Sequence, residues 1–194
     1  MALAQACARR GAEVTLVCGA VYAPVYNPFG AIRRIDAISA QEMYKACVAA
    51  WPKMDSAILC AAVADFTPAQ KAEEKIKKET LNDQPSSLSY QHSTFTLQLT
   101  ETLDIARALG ESKRSGQKLI GFALETNDEK KNALHKMERK HLDAIILNSL
   151  RDKGAGFGVD TNVVTILQAD GSVTALPLQS KALISEEILT SLFS

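Results

Sequence analysis

Ser56-Ala-Ile-Leu-Cys-Ala-Ala-Val63 is an uninterrupted apolar run, and Ala64-Asp-Phe-Thr-Pro-Ala-Gln-Lys-Ala-Glu-Glu-Lys-Ile-Lys-Lys78 follows it directly. The run reads as a buried strand of an α/β sheet. The pattern predicts that this strand ends at Asp65, that Pro68 breaks the backbone, and that the cationic cluster Lys75, Lys77, Lys78 comes soon after. Ligands of α/β sheets bind outside the carboxyl ends of the strands. A lysine is a point charge suited to phosphate. A carboxylate followed by lysines at such an end is therefore placed to meet a polyanion. A solvated charged turn behind a core strand is the plainer reading of the same residues.

Working outward, Met1 to Arg10 has apolar residues at helical spacing and Gly11 as its stop. Glu13-Val-Thr-Leu-Val-Cys18 predicts a strand buried on both faces. Residues 22–30, with Pro24, Asn27 and Pro28, read as a loop. Ile32 to Ile38 predicts a short strand. Ser39 then caps a helix to about Trp51, with Glu42 at the capping-box position and Pro52 as its end. Residues 79–100 differ in kind. Turn formers at Leu81-Asn-Asp-Gln-Pro-Ser-Ser87 precede the period-two pattern Thr94-Phe-Thr-Leu-Gln-Leu99, which predicts a half-exposed antiparallel strand or flap.

From Leu103 the α/β rhythm returns: a helix to Leu109, a strand Lys118 to Leu124, a helix from about Asp128 to His141, and a strand Asp143 to Asn148. The glycine-rich Gly154-Ala-Gly-Phe-Gly158 leads to a hairpin, Asn162 to Gln168 and Val173 to Leu178, turned at Ala169-Asp-Gly171. A last helix runs from Lys181 to Phe193. The fold class is α/β: a Rossmann-like, doubly wound, mainly parallel sheet with an added antiparallel hairpin and flap. One domain over residues 1–194, with the flap at about 66–100, is expected. Such domains open on a strand, and this chain opens on a helix without a GxGxxG or Walker loop. The expectation is that an N-terminal strand and loop are missing.

Composition narrows the function. The chain of 194 residues is 46% hydrophobic, with 22 basic and 22 acidic side chains and zero net charge. That balance gives no electrostatic argument for nucleic acid or an anionic membrane, and no apolar run approaches the roughly 20 residues that span a bilayer. Cys7, Cys18, Cys47 and Cys60 sit in apolar surroundings without a CxxC pair and read as buried thiols of a cytoplasmic protein. His92, His135 and His141 are scattered, so a structural zinc site is not expected.

Polar residues mark successive strand ends: Asp65 after Leu59-Cys60-Ala61, Glu125-Thr-Asn127 after Gly121-Phe122, and Asn148. Thr102-Leu-Asp-Ile105 opens a helix whose N–H groups would face an anion or a carbonyl. Lys136 and Lys140 lie four apart on one helix face. They read either as surface charge paired with Glu129 or Glu138, or as a second basic patch.

In this order, Ala61-Ala-Val-Ala-Asp65, Lys75-Ile-Lys-Lys78, Leu103-Asp-Ile105, Gly121-Phe-Ala-Leu-Glu-Thr126, Lys136, Lys140, Asn148 and Asp160-Thr-Asn162 resemble the phosphopantothenoylcysteine synthetases. In most bacteria these form the C-terminal half of a bifunctional coenzyme A biosynthesis flavoprotein. The resemblance implies a ligase joining 4′-phosphopantothenate to L-cysteine, with CTP activating the carboxylate as an acyl-cytidylate and Mg²⁺ accompanying the nucleotide. Lys75 corresponds to the flap lysine of the activation step. Leu59, Cys60, Ala61, Asp65, Lys75, Leu103, Asp104, Ile105, Ala106, Phe122, Lys136 and Lys140 correspond to CTP-binding positions. Metal ligands are not assigned. A homodimer is implied, as is fusion to, or association with, a flavin-dependent decarboxylase. No flavin is expected within these residues.

Leu103 departs from a common proline, Leu124 from alanine, and Asn148-Ser-Leu150 from Asn-Asp-Val. The relatives also carry, before the position of Met1, a strand and a glycine- and serine-rich loop with an asparagine credited with holding the acyl-cytidylate. Two further readings stand beside the ligase. One is a non-catalytic nucleotide-binding or assembly domain. The other is a Rossmann oxidoreductase, disfavoured by the absent dinucleotide fingerprint.

Overall fold

The computed structural model describes residues 1–19, 25–27, 30–70, 72–76, 96–125, 129–149 and 158–193. In chain order the elements are α1 (Ala2–Arg9), β1 (Val14–Cys18), β2 (Ile32–Asp36), α2 (Ala40–Ala50), a 3-10 turn (Trp51–Lys53), β3 (Ser56–Leu59) and β4 (Phe66–Pro68). Then come β5 (Leu99–Glu101), α3 (Ile105–Glu111), β6 (Lys118–Glu125), α4 (Glu129–Arg139), β7 (Ala144–Ser149), β8 (Thr161–Gln168), β9 (Val173–Ser180) and α5 (Lys181–Phe193). They form two compact units, Met1–Val63 with Asp104–Ser194, and Ala64–Leu103.

The larger unit contains a five-stranded sheet in the order β3-β6-β7-β8-β9. β3, β6 and β7 are parallel, while β8 and β9 add antiparallel strands. The mixed α/β class with a mainly parallel central sheet agrees with the sequence. Successive residues of each strand serve opposite faces. Leu119, Ala123, Ile145 and Leu147 join Met43, Ile105, Leu109 and Met137 of α2, α3 and α4. Ile120, Ala144, Ile146, Val164 and Ile166 join Ile184, Ile188 and Leu192 of α5. β7 is paired on both edges and covered on both faces, so Ala144-Ile-Ile-Leu147 is buried throughout.

β1 and β2 form a separate parallel pair. Among the described residues no strand pairs with the second edge of β1 or of β3. This corrects the expectation for Glu13 to Cys18. Val14 to Val17 are only half-buried, as are all four residues of β3, because a strand paired on one edge keeps part of its surface open.

Local chemistry explains the ends. The Glu42 N–H donates to Ser39 Oγ at 3.2 Å and the Ser39 N–H donates to Glu42 Oε2 at 3.0 Å, the reciprocal capping box expected of α2. The first strand of the opening stretch ends earlier than expected, at Leu59, whose ladder partner is Gly121. Asp65 is therefore not on it. α3 begins at Ile105, two residues later than expected, because Asp104 occupies the N-cap and accepts from the Arg107 N–H at 3.1 Å. Only Cys18 of the four cysteines is buried, and Cys60 is exposed, since the backbone leaves the sheet just before it.

In the smaller unit β4 and β5 pair antiparallel, with Pro68 opposite Leu99. Pro68 is thus the last residue of a short strand and takes part in its ladder. A two-stranded ribbon needs only one edge of each strand, so a residue without an N–H fits. The ribbon is closed by Ala69 N–H to Gln98 O and Thr102 N–H to Asp65 O, both at 2.9 Å. The half-exposed strand expected at 94–99 is not found over residues 96–98; the strand here is Leu99–Glu101, exposed throughout. Residues 94 and 95 lie outside the described residues, as do Thr126, Asn127 and residues 154–157.

Candidate functional site

The ladder registers set the carboxyl edge of the parallel strands. Leu59 lies opposite Gly121, Phe122 opposite Ile146, and Leu124 opposite Asn148. Leu59, Phe122 and Asn148 therefore lie toward one edge. Leu59 and Ile105 also pack into one apolar cluster with Val63. Cys60 and Ala61 follow β3 as exposed residues. Ala106 is half-buried in the first turn of α3.

Alternation along β6 divides the candidates. Phe122 packs with Ile58 on the α5 face, whereas Ile105 lies on the α3 face. The two approach the edge from opposite sides of the sheet. Asn148 is half-buried and its Oδ1 accepts from Asn162 Nδ2 at 3.1 Å, tying the end of β7 to the start of β8.

Asp104 carries the most developed polar geometry among the candidates. Its Oδ1 caps α3, and its Oδ2 meets Lys140 Nζ at 2.9 Å. Burial raises its carboxyl pKa, but the Lys140 hydrogen bond, the Arg107 N–H and the charges of Lys140 and Arg139 together hold it below the ordinary range. The sequence offered Glu129 or Glu138 as partners of Lys140; the structure supplies Asp104. The pairing also changes the reading of this helix end. One of its N–H groups is already taken by a carboxylate, and the helix is seven residues long. Lys136 is half-buried on α4.

In the smaller unit Asp65 and Leu103 flank the ribbon and are exposed, and Lys75 is an exposed side chain beyond β4. Lys77 and Lys78 fall outside the described residues. Among the described residues no group of three or more His, Cys, Asp or Glu side chains is arranged to hold a metal. Burial pushes the half-buried Cys7 and Cys47 thiols up, which leaves neither prepared as a thiolate nucleophile. No helix among the described residues is long and apolar enough to cross a membrane.

Sequence reasoning missed three supporting residues. Lys113 Nζ donates to the His141 carbonyl at 2.8 Å and to both Asp143 oxygens at 2.8 and 2.9 Å. Buried Gln117 Nε2 donates to the Trp51 and Met54 carbonyls at 3.0 and 2.6 Å. Gly110 allows α3 to approach the Lys140 backbone. The glycine inside a helical pattern was the one visible signal. A concavity of about 460 Å³ lined by Gly110, Lys113, His141 and Asp143 lies at the other, amino-terminal edge of the sheet, and its charges are spent on this bracing.

Comparison with known proteins places these features. The DFP family, described as the DNA/pantothenate metabolism flavoprotein C-terminal domain, matches residues 1–194. A relative from an unknown prokaryotic organism, named cysteine/cysteine sulfinic acid decarboxylase, is 43% identical over 195 residues, covering 100% of this chain and 50% of its own length. The coenzyme A biosynthesis bifunctional protein CoaBC of Bacillus subtilis (strain 168) is 41% identical over 188 residues, covering 97% of this chain and 43% of its own. The crystal structure of the C-terminal domain of a CoaBC protein is similar with a TM-score of 0.72 and 33% identity, covering 98% of this chain and 80% of that one. The chain thus spans about half the length of these full-length relatives. Its match from end to end, in sequence and in fold, shows that it belongs to the DFP family, the C-terminal domain found in CoaBC proteins.

Proposed function

We propose that this chain carries out the CTP-dependent ligation of 4′-phosphopantothenate to L-cysteine in coenzyme A biosynthesis. The observation that carries this reading is the family match over residues 1–194, supported by relatives named for coenzyme A biosynthesis. A carboxylate is a poor electrophile. Attack of its oxygen on the α-phosphorus of CTP gives an acyl-cytidylate and pyrophosphate. The cysteine amine then attacks the acyl carbon, forming the amide and releasing CMP, and the amine proton is lost. Charge develops on the phosphate in the first step and needs fixed cations, which is the role given to Lys75. Leu59 to Ala61, Asp65, Leu103 to Ala106, Phe122, Lys136 and Lys140 are assigned to the nucleotide. Mg²⁺ would enter on the triphosphate, since this ion keeps its waters and prefers substrate phosphates to all-protein cages. In this reading the active species is a homodimer in the cytoplasm, served by a decarboxylase fused to it or associated with it.

The test is CMP release from CTP, 4′-phosphopantothenate and cysteine by the full-length protein. Activity is expected with CTP and much less with ATP. A folded Lys75→Gln variant should lose on the order of 10²-fold or more, the usual cost of removing a contact to developing charge. Wild-type CMP release by that variant removes Lys75 from the mechanism. Nucleotide binding without CMP release by the wild type favours a binding domain. The relative named as a decarboxylase supports a second reading, in which the chain is the C-terminal part of a cysteine decarboxylase. Carbon dioxide release from cysteine without CTP would select it.

A further inference from the structure

Asn148 and Asn162 meet where β7 ends and β8 begins, and the reading above gives neither of them a task. Asn162 is only 9% exposed and shares a face with the apolar Ile146, Val164 and Ile166. A carboxamide in such company is costly unless it is hydrogen-bonded. Both of its polar atoms are used: Oδ1 accepts from the Val163 N–H and Nδ2 donates to Asn148 Oδ1, each at 3.1 Å. The β8–β9 register shifts between Asn162 and Val164, an irregularity of the kind that re-aims a side chain beside a site.

These bonds decide which way Asn148 points. The Val163 N–H can only donate, so it faces the Asn162 oxygen. The Asn162 nitrogen is thereby turned to Asn148 and can only donate, so it faces the Asn148 oxygen. What remains of Asn148 is Nδ2, whose two N–H groups have no partner among the described residues. No buried side-chain nitrogen is unpaired there, so Nδ2 is open to solvent. Alternation sets Asn148 on the same face as Ile146 and Phe122, at the carboxyl edge where α/β sheets bind ligands.

We infer that Asn148 is a substrate-binding residue whose Nδ2 donates to a carboxylate oxygen, and that Asn162 is the positioning residue that holds this donor outward. The inference rests on the ligase reading, in which both molecules to be joined carry a carboxylate. An amide that presents donors alone selects such an acceptor. A plain tie between β7 and β8 makes a different prediction, because aspartate at position 148 would keep the tie.

The experiment follows CMP release by the full-length protein carrying Asn148→Asp, Asn148→Ala or Asn162→Asp. Asn148→Asp still accepts from Asn162 Nδ2 but turns an oxygen outward in place of the donor. Its melting temperature should stay within about 3 °C of wild type. Its kcat/KM for 4′-phosphopantothenate or for cysteine should nevertheless fall at least as far as in Asn148→Ala. In Asn148→Ala that fall should be about 10–100-fold, the usual cost of a lost hydrogen bond to a charged group. The KM for CTP should change less than about twofold in both. The acid whose kcat/KM falls further is the one bound. Asn162→Asp still accepts the Val163 N–H and lets Asn148 turn round to donate to it. It should lose as much as Asn148→Ala and add nothing when the two are combined. Unchanged kcat/KM for both acids, or a loss no larger for them than for CTP, overturns the inference. If Asn162→Asp does not fold, the two Asn148 variants decide. If the wild type releases no CMP, the ligase reading fails, and calorimetric titration with each acid decides the binding role. A Kd weakened about tenfold or more for one acid by Asn148→Ala then supports it, while equal Kd values, or no binding of either acid to the wild type, overturn it.

Discussion

A methyl group at Gly110 has no room. It would collide with the Lys140 carbonyl oxygen and carbon, backbone atoms that cannot swing aside, and crowd the His141 Cβ. Alanine is the better helix former by roughly 1 kcal/mol, so propensity alone favours Gly110→Ala. Overpacking against backbone costs about 1–3 kcal/mol, and this effect wins. The variant should unfold at lower denaturant with an unchanged m-value. A midpoint at or above wild type would show that α3 can shift away from α4 without cost. Gly116→Ala is the informative contrast: the space around it is open, and its φ of 86° supplies the whole penalty.

α2 shows what a complete local signal does. Ser39 and Glu42 satisfy each other's backbone donors, and Glu42 Oε2 also accepts from the Ile38 N–H at 2.8 Å. Ser39→Ala should therefore cost about 1 kcal/mol by thermal or chemical unfolding. The hydrogen bonds from the Ser39 and Ile38 N–H groups hold the Glu42 carboxyl below its ordinary value of 4.5. A depressed folded pKa means that the contribution is present above the unfolded value and is lost as pH falls through the folded one. The Glu42→Gln variant should thus lose most relative to wild type near neutrality and approach it as pH falls below 4.5, whereas the loss in Ser39→Ala, which removes the bond from the Glu42 backbone N–H, should largely persist. A gap between wild type and variant that widens on acidification would contradict the capping box as its source. α5 was legible for the same local reason. Its bounds, Lys181–Phe193, coincide with those read from the sequence: the Leu183 N–H donates to Ser180 Oγ at the start, and Ile184, Ile188, Leu189 and Leu192 are buried.

Across the larger unit, protection should follow strand pairing. β6 and β7 are bonded on both edges, whereas among the described residues β1 and β3 are each bonded on one. Native-state amide exchange should leave Phe122, Ile145 and Ile146 protected by at least about 100-fold more than the slowest amide of β1, since local opening there exposes an already open edge. Equal protection would show that the second edges of β1 and β3 are covered in solution. The β4–β5 ribbon of the smaller unit exposes Phe66, Leu97 and Leu99 at 56%, 50% and 54%, an apolar surface of the kind association buries. β5 (Leu99–Glu101) pairs with Phe66–Pro68 of the same chain.

The chain's own residues were sufficient for the α/β class, the α2 capping box, the final helix, the hairpin at Ala169-Asp-Gly171, and the family membership. Each of these depends on signals a few residues apart or on an ordered set of motifs, and both survive without knowledge of what lies alongside. Tertiary structure alone settled the rest. The strand beginning at Ser56 stops at Leu59, Pro68 sits in a ladder, β1 stands apart from the five-stranded sheet, and Lys140 pairs with Asp104 instead of a glutamate on its own helix. Where a strand ends, and which carboxylate a lysine meets, depend on partners distant in sequence. Hydrophobic periodicity carries no information about those partners: it encodes which face of an element is buried, and it is silent about what is packed against that face.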